Sequence, residues 1–488
     1  MLQSSDRHLV INGIIWKYVD RTVVQAVQFL VSLFLARLLA PEEFGTLTLV
    51  TVFLNIALVF VQHGIGSSLV QKQNISEGEL TSVYYFSFIL GTVLALIIIL
   101  TAPFLCSFLG YPSIVPIVRV LALTLPPAGV SNVLESVLTR NLEFKKIFTA
   151  NICGGLISAA ASIWTALNGY GIWALVIQQV SFQLISVMVL HRLVRIRYTA
   201  AVSFRSIYPL ISYGWKLLLS SLIDTVYGNL RTLLIGKYFR PETVGYYDKG
   251  RQFPAFIISN VNATIQAVMF PALSKKQSDV KVLKAMVRKS IGVSTFLIWP
   301  CMTGLMVVAK VLIRLLLTDK WLPAVPFMLC FCMIYSFWPI STTNLQVIKA
   351  VGRSDIFLKL EILKKTIGIG IMVFTLPFGI RAMMIGSCIN AAIALFLNAM
   401  PNRRLIGYTI PELFADMIPA GALSAVMGAA AFAVGFLIDN ELLRLFCQVV
   451  AGAAVYTGMA AFFRVSSFVY LTGLIGQFRR KKKTEREE

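Results

Sequence analysis

The sequence predicts an all-α polytopic membrane protein of about fourteen transmembrane helices. Two six-helix lobes, related as parallel repeats, would surround a central cavity, followed by an extra C-terminal helix pair. Three observations predict this. Hydrophobic residues make up 57% of the 488 and charged residues only 14%, against roughly 25% charged in soluble domains. Apolar runs such as Phe86 to Leu109 and Ile362 to Phe378 approach the ~20 residues needed to cross ~30 Å of hydrocarbon. A motif also recurs: Arg37-Leu-Leu-Ala-Pro41-Glu42-Glu-Phe-Gly45 returns as Lys237-Tyr-Phe-Arg-Pro241-Glu242-Thr-Val-Gly245. Two further echoes follow in the same order, Leu69-Val-Gln-Lys72-Gln73 with Leu273-Ser-Lys-Lys276-Gln277 and Tyr170-Gly171-Ile-Trp-Ala174 with Phe378-Gly379-Ile-Arg-Ala382. The offset creeps from 200 to 204 to 208, as expected where helices keep their lengths and loops gain residues. Such a duplication in a membrane points to a site between the halves.

The spans are expected to begin near residues 12, 45, 81, 114, 147, 171, 210, 244, 290, 323, 355, 379, 411 and 441. That gives an N-lobe over 1–205, a C-lobe over 206–405, the extra pair over 406–470 and a basic tail over 471–488. Alternate connections are basic, among them Lys145 and Lys146, Arg192, Arg195 and Arg197, Lys275 to Lys289, and Arg403 and Arg404; Arg479 to Lys483 joins them. The intervening loops, such as Asn168 to Gly171, are short and nearly uncharged. By the positive-inside rule both termini are cytoplasmic. Residues 1–12 are polar and run directly into a full span, so no cleavable signal peptide is expected. The net charge of +22 therefore reads as attraction to the inner leaflet rather than to nucleic acid.

The first span carries Lys17, Asp20, Arg21, Gln25, Gln28 and Ser32 at three- and four-residue spacing, which puts them on one helix face. The fourth span holds Glu135 and the pair Pro126-Pro127. The seventh repeats the stripe of the first with Lys216, Ser220, Asp224, Tyr227 and Arg231. The eighth opens with Asp248-Lys249-Gly-Arg251. Prolines 254, 300 and 339 fall inside later spans, and each of these, like the Pro126-Pro127 pair, would kink its helix. The stretches Lys275–Lys289 and Arg353–Lys365 read as amphipathic helices on the inner face.

Two polar faces at equivalent positions describe opposite walls of one cavity. An ionised side chain near a helix centre costs roughly 2.5–3.5 kcal/mol on the insertion scale, so such residues face water or a partner. Lys17, Arg21, Lys216, Arg231, Lys249 and Arg251 would give the cavity a cationic, anion-binding wall, and Gln25, Gln28 and Tyr227 a polar lining. Asp224, Asp20 and Glu135 are the carboxylates whose charge a coupled proton or Na⁺ could switch, Asp224 first because it lies deep in its span.

Catalysis is not expected. The sequence has no Walker A loop, no Gly-x-Ser-x-Gly elbow and no His-Glu-x-x-His. Its seven cysteines lie in or beside apolar stretches without metal-ligand spacing and its three histidines are scattered, so neither a metal nor another cofactor is expected.

Ala36-Arg37-x-Leu-x-Pro41-Glu-x-Phe-Gly45, Gly64-x-Gly66-x-Ser-Leu-Val-Gln, Gly169-Tyr-Gly-x-Trp173-Ala-Leu-Val and Val244-Gly-Tyr-Tyr247 together resemble the polysaccharide transporter family. That family belongs to the multidrug/oligosaccharidyl-lipid/polysaccharide exporter superfamily, and the chain is most similar to its Wzx-type exporters. The resemblance runs from Trp16 to about Arg464. It implies a flippase that moves an undecaprenyl-pyrophosphate-linked oligosaccharide across the bacterial inner membrane by alternating access, without ATP. It also implies a polysaccharide polymerase and chain-length machinery as partners beside membrane lipids.

Two rivals follow from the same sequence. An ion-coupled multidrug antiporter of that superfamily would need an acidic, aromatic cavity, whereas cations outnumber anions on these stripes. A membrane-embedded oligosaccharide polymerase or ligase would carry arginines and histidines on a large external loop, which this sequence lacks.

Overall fold

The computed structural model describes residues 4–62, 65–72, 75–194, 204–277, 279–473 and 476. Its helices in chain order are α1 (Ser4–Leu38), α2 (Pro41–Gln62), α3 (Ile65–Gln71), α4 (Glu77–Leu109), α5 (Val115–Ala122) and α6 (Leu125–Arg140). There follow α7 (Phe144–Leu167), α8 (Trp173–Leu193), α9 (Phe204–Tyr238), α10 (Pro241–Ser274), α11 (Val280–Leu317) and α12 (Val325–Ser336). Next come α13 (Trp338–Ala350), α14 (Ser354–Thr375), α15 (Ile380–Ile406), α16 (Ile410–Val434) and α17 (Glu441–Phe462), and a further helical stretch covers 466–473. Arg195, Arg197 and the run Arg479 to Lys483 lie outside the described residues.

Counting α5–α6 and α12–α13 as single broken segments, and leaving the short α3 aside, gives fourteen long segments among the described residues. Twelve are long and apolar enough to cross a membrane, so the chain is a multi-pass membrane protein. The other two, α9 and α14, fail on polarity. The first carries Lys216, Asp224 and Arg231, the second Glu361, Lys364 and Lys365.

The fourth segment of each half is built the same way. A 3-10 turn (Pro112–Ile114, Asp319–Ala324) leads into α5 or α12, the helix breaks, and α6 or α13 resumes. Prolines 126, 127 and 339 were expected to kink continuous helices. Instead they stand at the start of α6 and α13, where a missing N–H costs nothing. At the second break the Trp299 indole N–H donates to the freed Ser336 carbonyl at 3.0 Å. Prolines 254 and 300 do lie inside helices, in α10 and α11. The repeat extends to the turns that follow. Leu142 (φ 59°) and Gly352 (φ 77°) are both left-handed, and the next amides, Glu143 and Arg353, donate to the Leu138 and Ile348 carbonyls.

The inner-face amphipathic helices are not separate elements. The Asp279 carboxylate accepts from the Val282 amide at 3.1 Å and caps α11, which then runs unbroken to Leu317. Most of the Arg353–Lys365 stretch is the first half of α14, because nothing after Ser354 stops the helix before Thr375.

Contacts divide the chain into two compact units, Met1–Asp248 and Lys249–Glu488. In the first, α7 packs on α8 and α1, and α6 on α4. Val130, Leu134, Leu138, Ile147 and Leu190 form one buried core there. Helix α9 packs along α2. At the head of that contact the two copies of the Pro-Glu-x-x-Gly motif meet. A methyl on Gly45 would collide with the Pro241 carbonyl, and one on Gly245 with the Pro41 carbonyl. Only glycine lets two backbones come this close.

In the second unit α11 packs on α16, and α16 on α17. Leu283, Val287, Ile291, Ile340, Val347 and Met417 are buried together. Lys284 pairs with Glu412 and Arg288 with Asp416, each at 2.7 Å. The Tyr408 hydroxyl donates to Asp416 at 2.9 Å, and burial pushes its phenol well above the ordinary range, so it stays a donor.

Candidate functional site

In the first unit the polar face of α1 lies against α7 and α8. The Asn151 amide of α7 donates to Asp20 at 3.1 Å. The Gln178 amide of α8 donates to Gln28 at 3.2 Å, and that of Gln183 to the Ser131 hydroxyl of α6 at 3.0 Å. Glu135, half-buried on α6, lies within electrostatic range of Asp20. The hydrogen bonds link α1, α6, α7 and α8 through amides, a carboxylate and a hydroxyl.

Toward the start of α1 this face turns cationic and aromatic. The Lys17 ammonium stands 5.5 Å from the Phe144 ring and that of Lys145 5.5 Å from the Trp16 ring, with Trp16 against Phe148. Both distances are within the ~6 Å reach of cation–π attraction. Arg21 is exposed on the same helix, and Gln25 is half-buried one turn on.

The stripe on α9 is more open. Lys216 is exposed, 6.0 Å from the Trp215 ring. Asp224 is exposed and Tyr227 half-buried. Arg231 is half-buried, and its Nε is buried without a hydrogen-bond partner. A buried guanidinium N–H left unpaired costs about as much as a lost hydrogen bond, so its natural complement is an anion.

The remaining cations divide. Arg251 is exposed on α10. Lys249 is only 1% exposed, donates to Gln252 at 3.0 Å and has its ammonium 5.9 Å from the Trp321 ring. It was expected on a cavity wall, but here it is a packing residue of the second unit.

Asn151, Gln178, Gln183 and Ser131 were not anticipated, although each is a polar residue inside an apolar span. Reading the fifth and sixth spans for lone amides, as the first and seventh were read for charges, would have found the first three.

A model of the polysaccharide biosynthesis protein family matches residues 34–326, more than half of the chain, and the chain belongs to that family. It is similar to the lipopolysaccharide biosynthesis protein WzxC of Escherichia coli (strain K12), 24% identical over 368 residues that cover 73% of each chain. It is also similar to the teichuronic acid biosynthesis protein TuaB of Bacillus subtilis (strain 168), 24% identical over 92% of this chain and 94% of that one. The succinoglycan biosynthesis transport protein ExoT of Rhizobium meliloti (strain 1021) is 23% identical over 91% and 90%. Among solved structures, the lipid II flippase MurJ in an inward closed conformation superposes with a TM-score of 0.70, at 16% identity, covering 93% of this chain and 99% of that one. An inward-facing MATE family multidrug transporter of the MOP superfamily gives 0.65 at 15% identity, over 81% and 98%. These two likenesses show the fold, an all-α polytopic bundle.

Proposed function

We propose that this protein is a flippase of the bacterial cytoplasmic membrane. Its cargo is an undecaprenyl-pyrophosphate-linked oligosaccharide, the repeat unit of a polysaccharide, carried from the inner to the outer leaflet by alternating access. Both termini are cytoplasmic in this reading. The observation that carries it is the unpaired, buried Nε of Arg231 on a membrane-length helix too polar to face lipid throughout. A diphosphate supplies the acceptor such a group lacks. Lys17, Arg21 and Lys216 add positive charge on the same two polar helices, and membership of the polysaccharide biosynthesis family fits a glycan as cargo. The polyprenyl tail stays in lipid throughout.

The sequence carries no nucleotide-binding motif, so direction comes from an ion gradient or from consumption of the product outside. We place proton or Na⁺ coupling at the Asp20–Glu135 pair, with Asp224 as the third candidate. The polymerase that consumes the flipped unit is the natural partner. A multidrug antiporter is disfavoured because cations outnumber carboxylates on the two stripes.

The test is a strain deleted for this gene. Lipid-linked saccharide should accumulate on the inner leaflet and clear on complementation with the wild type. Arg231→Ala should reach the membrane at normal levels and restore export at least tenfold less well, and Arg231→Lys should restore it partly, because the charge survives without the planar fork. Clearance by Arg231→Ala at the wild-type rate overturns the role of the guanidinium. Absence of any accumulation in the deletion strain overturns the flippase reading.

A further inference from the structure

Within the second unit, α13, α14 and α15 enclose a cavity of about 420 Å³ that none of the charged stripes predicts. This volume falls in the ~300–1,000 Å³ range of small-molecule sites. Trp338 lines it, 41% exposed and stacked on Tyr335 with ring centroids 5.2 Å apart. The helix break at Phe337 delivers both rings: Tyr335 lies in the last turn of α12 and Trp338 opens α13. Asn398 on α15 lines the cavity. It is 2% exposed, and its side-chain oxygen has no hydrogen-bond partner. A buried acceptor of this kind awaits a donor from outside the fold. On α14, Lys364 and Glu361 form a 2.6 Å ion pair, 15% and 27% exposed, that also lines the cavity, and Ser341 and Thr342 add hydroxyls from α13.

The pair makes the cavity formally neutral, so it offers no net attraction to a lipophilic cation. Its polar groups are spread over three helices, which is unfavourable for an acyl or prenyl chain. What the combination fits is a flat ring with an apolar face and hydroxyls around its edge. The C–H groups of such a face meet the negative π-face of the indole. Its hydroxyls donate to Asn398 and Glu361 and accept from Lys364. The geometry points to a saccharide subsite holding one pyranose ring of the cargo on Trp338. This rests on the cargo being a lipid-linked glycan, and it assigns recognition of the sugar to residues other than those of the α1 and α9 stripes.

The test uses purified full-length protein in lipid nanodiscs and two ligands: undecaprenyl pyrophosphate bearing no sugar, and the lipid-linked saccharide extracted from the deletion strain. Trp338→Ala should weaken the sugar-bearing lipid at least tenfold and leave the bare lipid unchanged. Trp338→Tyr, which keeps an aromatic face, should stay within about threefold of wild type for both. Because Trp338 is partly exposed, folding is checked by comparing thermal midpoints, and Asn398→Asp gives an independent arm expected to alter only the sugar-bearing ligand. Equal weakening of both ligands by Trp338→Ala, or none of either, overturns the subsite while leaving the flippase reading standing. A wild type that binds neither lipid overturns the flippase reading and the subsite with it. Displacement of the sugar-bearing lipid from the wild type by a lipophilic cation such as ethidium, at equal concentration, makes the cavity a drug pocket and overturns the proposal.

Discussion

Arg231 and Lys249 are both cations on membrane helices, and the fold treats them oppositely. One keeps an unpaired N–H, while the other is enclosed by Trp321 and Gln252. Helical periodicity in the sequence says which residues share a face, but not which neighbour will cover that face. The stripe on α1 was therefore legible, and the donors that meet it from α7 and α8 were not, since they come from about 130 and 150 residues away. The same gap affects the coupling carboxylate. Depth within its span favoured Asp224, yet it is exposed, whereas Asp20 is half-buried, holds the Asn151 amide and lies within electrostatic range of Glu135. Carboxylates that repel one another in a low dielectric are where uptake of a cation brings the most relief. In proteoliposomes Asp20→Asn should bind lipid-linked saccharide normally but lose dependence of its transport on an imposed proton or Na⁺ gradient. Asp224→Asn should keep that dependence. The reverse pattern would return the coupling role to Asp224.

At the scale of elements, the sequence located most of the long segments to within a few residues, because membrane spans are set by apolar length and little else. It misplaced the ends of α1, α9 and α11, where polar turns of helix extend beyond the apolar core of the span. It also misread the prolines at the two fourth-segment breaks, since composition alone does not distinguish a proline that kinks a helix from one that starts a new one. The glycines of the repeated motif were legible as an echo, while their contact was not. A methyl at Gly45 or Gly245 falls on a backbone carbonyl, and overpacking of this kind costs typically about 1–3 kcal/mol. Gly45→Ala and Gly245→Ala should each lower the thermal midpoint of the detergent-solubilised protein by several degrees. Gly228→Ala, in open space on α9, should leave it unchanged or raise it slightly. Unchanged midpoints for both motif variants would mean that the α2 and α10 ends can separate freely.

For the whole molecule, the fold class was legible from hydropathy and internal repetition, and the family from four short motifs. The fourteen-segment count divides loops into alternating sides, and the basic ones fall together. Reporter fusions after Tyr111, Asn168 and Lys320 should read periplasmic, and those after Lys146, Lys276 and Arg404 cytoplasmic. A cytoplasmic reading at Asn168 together with a periplasmic one at Arg404 would overturn both the topology and the parallel repeat.

The contact between the two motif copies is reciprocal: what Gly45 meets on Pro241, Gly245 meets on Pro41. In a homodimer that is the signature of an isologous interface, in which one patch serves both partners. Here one chain supplies both patches, so a substitution at either glycine displaces the other turn as well as its own. The glycine contact is what the two copies could not afford to change separately.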